Sequence, residues 1–184
     1  MEKPEQLVPG TSDHELMALI AAGSSVAFSA LMRRHQNAVL NYFVRMGVSM
    51  EAEDLVQETF LRVFKYRRRY RPDSKFTTFL YVLARNVRYD HGRRTMRREK
   101  LRDGLEQEAA AGGASQDAEP GAAMDVQQAM AGLSPKLREA IVLNVFRGLP
   151  YQEVAEILGV PLGTVKSRIN LALHELRRGV NEQK

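Results

Sequence analysis

Thr164, Lys166, Ser167, Arg168 and Asn170 alternate with Val165 and Ile169 in a stretch whose apolar residues continue through Ala172, Leu173 and Leu176. That spacing puts the apolar set on one side of a helix and the polar set on the other. Lys and Arg can pair with guanine O6 and N7 or with phosphate, Asn with adenine, and Thr and Ser with phosphate or a base edge. Such a face can read a nucleic-acid groove. Leu171 interrupts it: it cannot pair with phosphate, and either meets a thymine methyl or packs internally. A different chemistry is suggested by Asp54 and Glu58, four residues apart on one helical face. Acid–base or metal work there calls for a histidine, and His14, His35, His91 and His174 are scattered without ligand spacing. With no phosphate-cradling Gly-rich loop either, the sequence predicts recognition and not catalysis: no catalytic residue, no metal, no cofactor and no small-molecule substrate.

The elements that must position these groups are all helices, since alternating β-branched runs bounded by turns are absent. The expected fold class is all-α, two small helical domains joined by a flexible linker, the C-terminal one a helix-turn-helix. Ser12 with Glu15 reads as a capping box opening a helix that continues to about Ala22. A second helix runs from about Ser25 to Met46, with Phe28, Leu31, Val39, Tyr42, Phe43 and Met46 at helical spacing. Ser49 is expected to cap a third, about Met50 to Tyr66, with Val56, Phe60, Val63 and Phe64 on one face and Asp54, Gln57, Glu58 and Leu61 on another. After a loop at Arg71-Pro72-Asp73, a fourth helix carries Phe76, Phe79, Leu80, Leu83 and Val87 inward and ends in an Arg-rich stretch.

Beyond Gly104 to Ala123, whose small residues and scattered acids lack apolar periodicity, comes a short helix from Met124 to Ala131. Ser134-Pro135 then starts a helix lined by Leu137, Ile141 and Val145, and Tyr151 to Leu158 forms another, with Pro150 as an N1-type residue. Gly159-Val160-Pro161 turns the chain into a last helix beginning near Leu162. A short helix, a Gly-containing turn and a longer helix with a basic outer face, within Leu133 to Arg178, is the helix-turn-helix pattern. The predicted domains are therefore residues 11–103, a linker 104–123, and residues 124–180.

Charge agrees with a nucleic-acid partner. The chain of 184 residues carries a formal net charge of +5 at a sequence pI near 9.6, concentrated in Lys65 to Arg71 and again in Arg85 to Arg102. Cysteine is absent, so disulfides and thiolate chemistry are excluded and a cytoplasmic location fits. The N-terminus has no basic and apolar export pattern, and no apolar window long enough to span a bilayer occurs, so no membrane insertion is expected.

Two blocks carry a family resemblance. Leu133-Ser134-Pro135 through Ala140, Gly148 through Ala155, and Gly159 through Arg168 resemble region 4 of the bacterial sigma factors. Ala52 through Phe60, Phe79-Leu80, Ala84-Arg85-Asn86 and Asp90 resemble region 2. The combination is most similar to the extracytoplasmic-function (ECF) subgroup of the sigma-70 family, which has these two regions only. The resemblance implies a promoter-specificity subunit that binds core RNA polymerase and promoter DNA. It assigns Asp54, Gln57, Glu58 and Leu61 to polymerase docking. It assigns Arg71, Ser74, Lys75, Arg85, Asn86, Arg88, Tyr89, Arg93 and Arg94 to the minus-10 element, and Thr164, Lys166, Ser167, Arg168, Asn170 and Leu171 to the minus-35 element. Phe79 stands where many relatives have Trp, and reads as core in preference to DNA contact. Members of this subgroup are commonly held inactive by an anti-sigma protein covering both domains, and such a partner is expected. A stand-alone helix-turn-helix regulator, with an N-terminal domain that dimerises or senses a ligand, remains the alternative.

Overall fold

Capping chemistry sets the first helix. Ser12 Oγ accepts from the Glu15 amide at 3.3 Å while Glu15 Oε2 accepts from the Ser12 amide at 2.7 Å, closing both orphan donors and opening α1 (Asp13–Ala21). The computed structural model describes residues 10–71, 73–105 and 129–181. Ser24 caps α2 (Ser25–Arg45) through the Ala27 amide. Three further helices, α3 (Ala52–Tyr66), a 3-10 turn (Arg67–Arg69) and α4 (Phe76–Leu105), complete the N-terminal half. Its core is built from Leu16, Ile20, Leu31, Phe43, Phe60 and Leu80, all essentially inaccessible to solvent.

The C-terminal half contains helical residues 129–132, then α5 (Pro135–Ile141), a π-helical segment (Val142–Phe146), α6 (Tyr151–Leu158) and α7 (Leu162–Asn181). No strand occurs among the described residues. Gly159 ends α6 at φ 65° and ψ 39°, a left-handed conformation that costs a residue with a Cβ about 1 kcal/mol or more. The turn it allows swings α7 across both α5 and α6. Val165, Ile169 and Ala172 are buried against them, which leaves the opposite face of α7 free. The two halves also touch: α4 packs on α6, the π segment meets α2, and one continuous apolar cluster runs through both.

Four local expectations are corrected. Ser49 does not cap α3: the chain makes one more turn, with the Ala52 amide on the Ser49 carbonyl at 3.4 Å, and Glu51 becomes the N-cap without a side-chain bond. Pro150, at φ −59° and ψ 151°, is the N-cap of α6 and not its first helical residue. Val145 is 52% exposed, because the widened π turn breaks the i, i+4 register of α5 and rotates Val142 and Leu143 inward instead. Phe64 lies 39% exposed at the edge of α3, its ring edge-on to Phe28 at 5.5 Å and beneath the Arg67 guanidinium at 4.1 Å. The predicted linker falls outside the described residues except for its first two, which continue α4, and residues 124–128 of the predicted short helix fall outside as well.

α1 is tied to α2 by charge. Asp13 Oδ1 accepts from Arg34 Nη1 at 2.6 Å and Oδ2 lies 2.8 Å from His35 Nε2. Burial alone would raise the Asp13 carboxyl, but His35 and Arg34 outweigh it and hold it below the usual aspartate range. A folded-state pKa depressed in this way stabilises the fold above the unfolded value of about 4, and the contribution is lost as pH falls through the lower folded value. Asp13→Asn is therefore expected to melt below the native chain at pH 7, with the gap closing as pH falls under about 4, read by circular dichroism across that range.

Candidate nucleic-acid and polymerase interfaces

Along α7 the polar side chains stand where the spacing predicted. Lys166, Ser167, Asn170 and Leu171 are exposed, and Thr164 and Arg168 half-buried, all within the first three turns. Leu171 is 50% exposed, which resolves its two readings: it lies on the outer face, available to a thymine methyl, and is not packed internally. Ser167 donates from Oγ to the Gly163 carbonyl at 3.0 Å, so its hydroxyl oxygen is left to accept. No acidic residue occurs among the first 13 residues of α7, and the helix N-terminus adds its own positive end to Lys166 and Arg168.

The α3 face presents Asp54, Gln57 and Leu61 to solvent, with Leu61 at 62% exposure. Glu58 is less free: it accepts from Arg62 Nε at 3.0 Å, and Arg62 Nη1 reaches Asp90 of α4 at 2.9 Å. Arg62 thus clamps α3 to α4. Gln57 also borders an open groove of about 270 Å³ between α2 and α3, lined by Met32, Leu40, Glu53 and Val56.

On α4 the cationic groups divide. Asn86 and Arg94 are exposed, and Arg93 is held by Asp90, whose carboxyl is kept below the usual range chiefly by that bond. Arg85 and Arg88 flank the ring of Tyr89, 4.8 Å and 4.6 Å from its centroid, an arrangement that can hold a phosphate beside a stacking platform. Arg71 is exposed, and Ser74 folds back on it, its amide on the Arg71 carbonyl at 3.3 Å.

The loop before α4 is braced by a residue that the spacing gave no reason to single out. Tyr70 Oη sits 2.6 Å from His14 Nδ1 and 3.2 Å from the Ser74 carbonyl, with its ring against Phe76 and Phe79. Burial, then Asp13 and Asp73, push its hydroxyl up to about 12, so it remains a donor at any physiological pH. Phe79 packs in this aromatic group at the margin of the core, as expected of it. Two acids also escaped sequence reasoning, Glu139 and Glu153. Both are buried, and both meet α4 or its leading loop, partners 50 to 78 residues distant in the chain. No group of three or more His, Asp or Glu side chains with metal-binding geometry occurs among the described residues.

A helical bundle ending in a helix-turn-helix, with its basic face outward and further cationic side chains on α4, defines a DNA-binding transcription protein. Residues 31–98 match the family model of sigma-70 region 2, and residues 123–176 that of sigma-70 region 4. The chain is 32% identical over 169 residues to the RNA polymerase sigma-H factor of Pseudomonas aeruginosa, covering 85% of this chain and 88% of that protein. It is 36% identical over 158 residues to the ECF sigma factor SigE of Mycolicibacterium smegmatis, 82% of this chain but 60% of that longer protein. Among solved structures, CnrH in complex with the cytosolic domain of CnrY superposes with a TM-score of 0.71 at 26% identity, covering 94% of this chain and 99% of that one. The sigma factor RpoE of Bartonella quintana, in complex with the anti-sigma factor NepR, superposes with a TM-score of 0.70 at 26% identity, covering 85% and 98%. The chain belongs to the sigma-70 family, in its ECF subgroup of promoter-recognition sigma factors. Among the described residues no helix is long and apolar enough to cross a membrane.

Proposed function

We propose that the chain acts without catalysis of its own, as a cytoplasmic polymerase subunit whose two domains, residues 11–103 and 124–180, divide the promoter between them. The α7 face of Thr164, Lys166, Ser167, Arg168, Asn170 and Leu171 enters the minus-35 major groove. Arg71, Ser74, Lys75, Arg85, Asn86, Arg88, Tyr89, Arg93 and Arg94 hold the minus-10 region as its strands separate. Unstacked bases need an apolar or aromatic platform, and cationic side chains neutralise the strand that carries them. Asp54, Gln57, Glu58 and Leu61 dock on core polymerase, where the carboxylates meet basic groups of the partner.

The observation that carries this reading is the segregation of charge within one small helical body. An exposed acidic and apolar face lies on α3, and cationic faces lie on α4 and α7. A protein that only bound DNA would have no use for the first. The RpoE neighbour is held by an anti-sigma factor, which supports a protein of that kind as a regulator of this chain.

Lys166→Ala and Arg168→Ala are each expected to cost about 1 to 3 kcal/mol of minus-35 recognition. The change is read as lost discrimination between native and scrambled minus-35 promoters by the reconstituted holoenzyme. Unchanged discrimination in the double variant would remove α7 from the role given to it here.

A further inference from the structure

The two carboxylates buried in the C-terminal half are not paired within that half. Glu139 of α5, whose side chain is 3% exposed, accepts from Tyr42 Oη at 3.0 Å, Arg88 Nη2 at 3.1 Å, Arg85 Nε at 3.3 Å and Tyr89 Oη at 3.3 Å. Glu153 of α6 is ion-paired with Lys75 and lies 3.4 Å from Thr77 Oγ1. Four of these partners, Lys75, Arg85, Arg88 and Tyr89, are groups assigned above to the minus-10 strand.

An anion is thus already seated where the promoter phosphates are expected. The match is chemical as well as positional. A carboxylate and a phosphate diester each offer acceptor oxygens to a guanidinium fork, and Arg85 and Arg88 serve either. Taking the Glu139 carboxylate and its partners out of water consumes much of their mutual attraction, so the set is costly to break by halves yet can be exchanged whole for another anion. Tyr42, fully inside the protein, has its hydroxyl pushed well above its ordinary range, first by burial and then by Glu139. It therefore stays protonated and donates to the carboxylate. Smaller contacts close the same seam: Arg147 Nε donates to Tyr81 Oη at 2.5 Å, and the Arg45 guanidinium lies 3.9 Å from the centroid of Phe146.

Geometry sets the consequence. Elements at minus-35 and minus-10 have centres about 25 base pairs apart, on the order of 85 Å of duplex. In this arrangement α6 touches α4 and α7 packs on α6, so the groove-reading helix stands roughly 20 Å from α4 at ordinary helix spacing. Both elements cannot be read in this state. We propose that the structure is a self-closed form of the free chain, latched by Glu139 and Glu153 acting as intramolecular mimics of promoter phosphates, so that closure and minus-10 binding exclude each other. This rests on the minus-10 assignment of α4. The α7 face lies outside the seam, so the closed chain keeps its minus-35 surface while Lys75, Arg85, Arg88 and Tyr89 of its minus-10 surface are occupied by the two carboxylates.

The chain has no cysteine, so dyes can be attached to Met50→Cys and Arg177→Cys, both exposed sites, in the otherwise intact protein. Energy transfer between them is compared in the native background, in Glu139→Gln with Glu153→Gln, and in Tyr42→Phe. Tyr42→Phe removes one latch bond without altering the C-terminal half. Binding of a single-stranded oligonucleotide carrying the non-template minus-10 sequence is measured on the same proteins without polymerase. The double variant is expected to lose most of the transfer and to bind the oligonucleotide about tenfold tighter or more, as expected when a sparsely populated open state is released, with Tyr42→Phe shifting both in the same direction by less. Unchanged transfer in the double variant and in Tyr42→Phe overturns the latch, whatever the oligonucleotide does. Opening without oligonucleotide binding by any of the proteins overturns the minus-10 assignment, and the competition with it.

Discussion

Leu61→Asp should lower the affinity of the chain for core polymerase by about 30-fold or more, the effect of losing a central interface residue, while leaving its melting temperature nearly unchanged. The side chain is 62% exposed at the centre of the α3 face, so the folded state loses almost nothing when it becomes polar, and surface changes of this kind stay within about 0.5 kcal/mol. At a docked interface the same carboxylate must be desolvated with no partner prepared for it, beside Asp54 and Glu58. Fluorescence anisotropy of the labelled chain titrated with core polymerase gives the affinity, and a melt of the same preparation gives the stability. Retained affinity would move the docking site off α3.

One residue earlier the outcome reverses. Phe60→Ala should cost about 3 to 5 kcal/mol of folding stability, because Phe60 is 1% exposed in the centre of the N-terminal core and its ring leaves a cavity that the surrounding helices cannot fill. Against a total of about 5 to 15 kcal/mol for an ordinary domain, the N-terminal half becomes marginal. Urea unfolding followed at α-helical wavelengths should show a midpoint lower by roughly 1 to 3 M. Any loss of polymerase binding in this variant follows the unfolded fraction, whereas in Leu61→Asp it does not. The pair separates what α3 does for the fold from what it presents to a partner.

Helix identity was legible because it is local. The Ser12 and Glu15 capping box, the apolar spacing of α2 and α7, and Gly159 after α6 each act within a few residues of where they are written, and each is realised. The outward face of α7 followed from its inward one. What the spacing missed had partners elsewhere. The π turn at Val142–Phe146 has no local signature and follows from how α5 meets the rest of the bundle, so regular α-helical spacing puts Val145 on the wrong side. Arg62 is visible as an i+4 partner of Glu58, but its bond to Asp90 crosses between helices. Glu139 and Glu153 look in the sequence like ordinary helical acids. Their burial comes from the packing of one half on the other, which no periodicity records. The same packing accounts for the α4 cations: Arg85 and Arg88, which the resemblance assigns to the minus-10 element, are already engaged by Glu139.

As an ECF sigma factor the chain confers promoter specificity on a polymerase and does not act on DNA alone. Transcription by purified core polymerase from a library of promoter fragments, with and without the chain, measures that property. Transcripts from a defined subset of promoters sharing minus-35 and minus-10 elements, formed only when the chain is present, are the predicted result. Tight, specific promoter binding by the chain without polymerase, and transcription unaltered by its addition, would instead mark a stand-alone helix-turn-helix regulator.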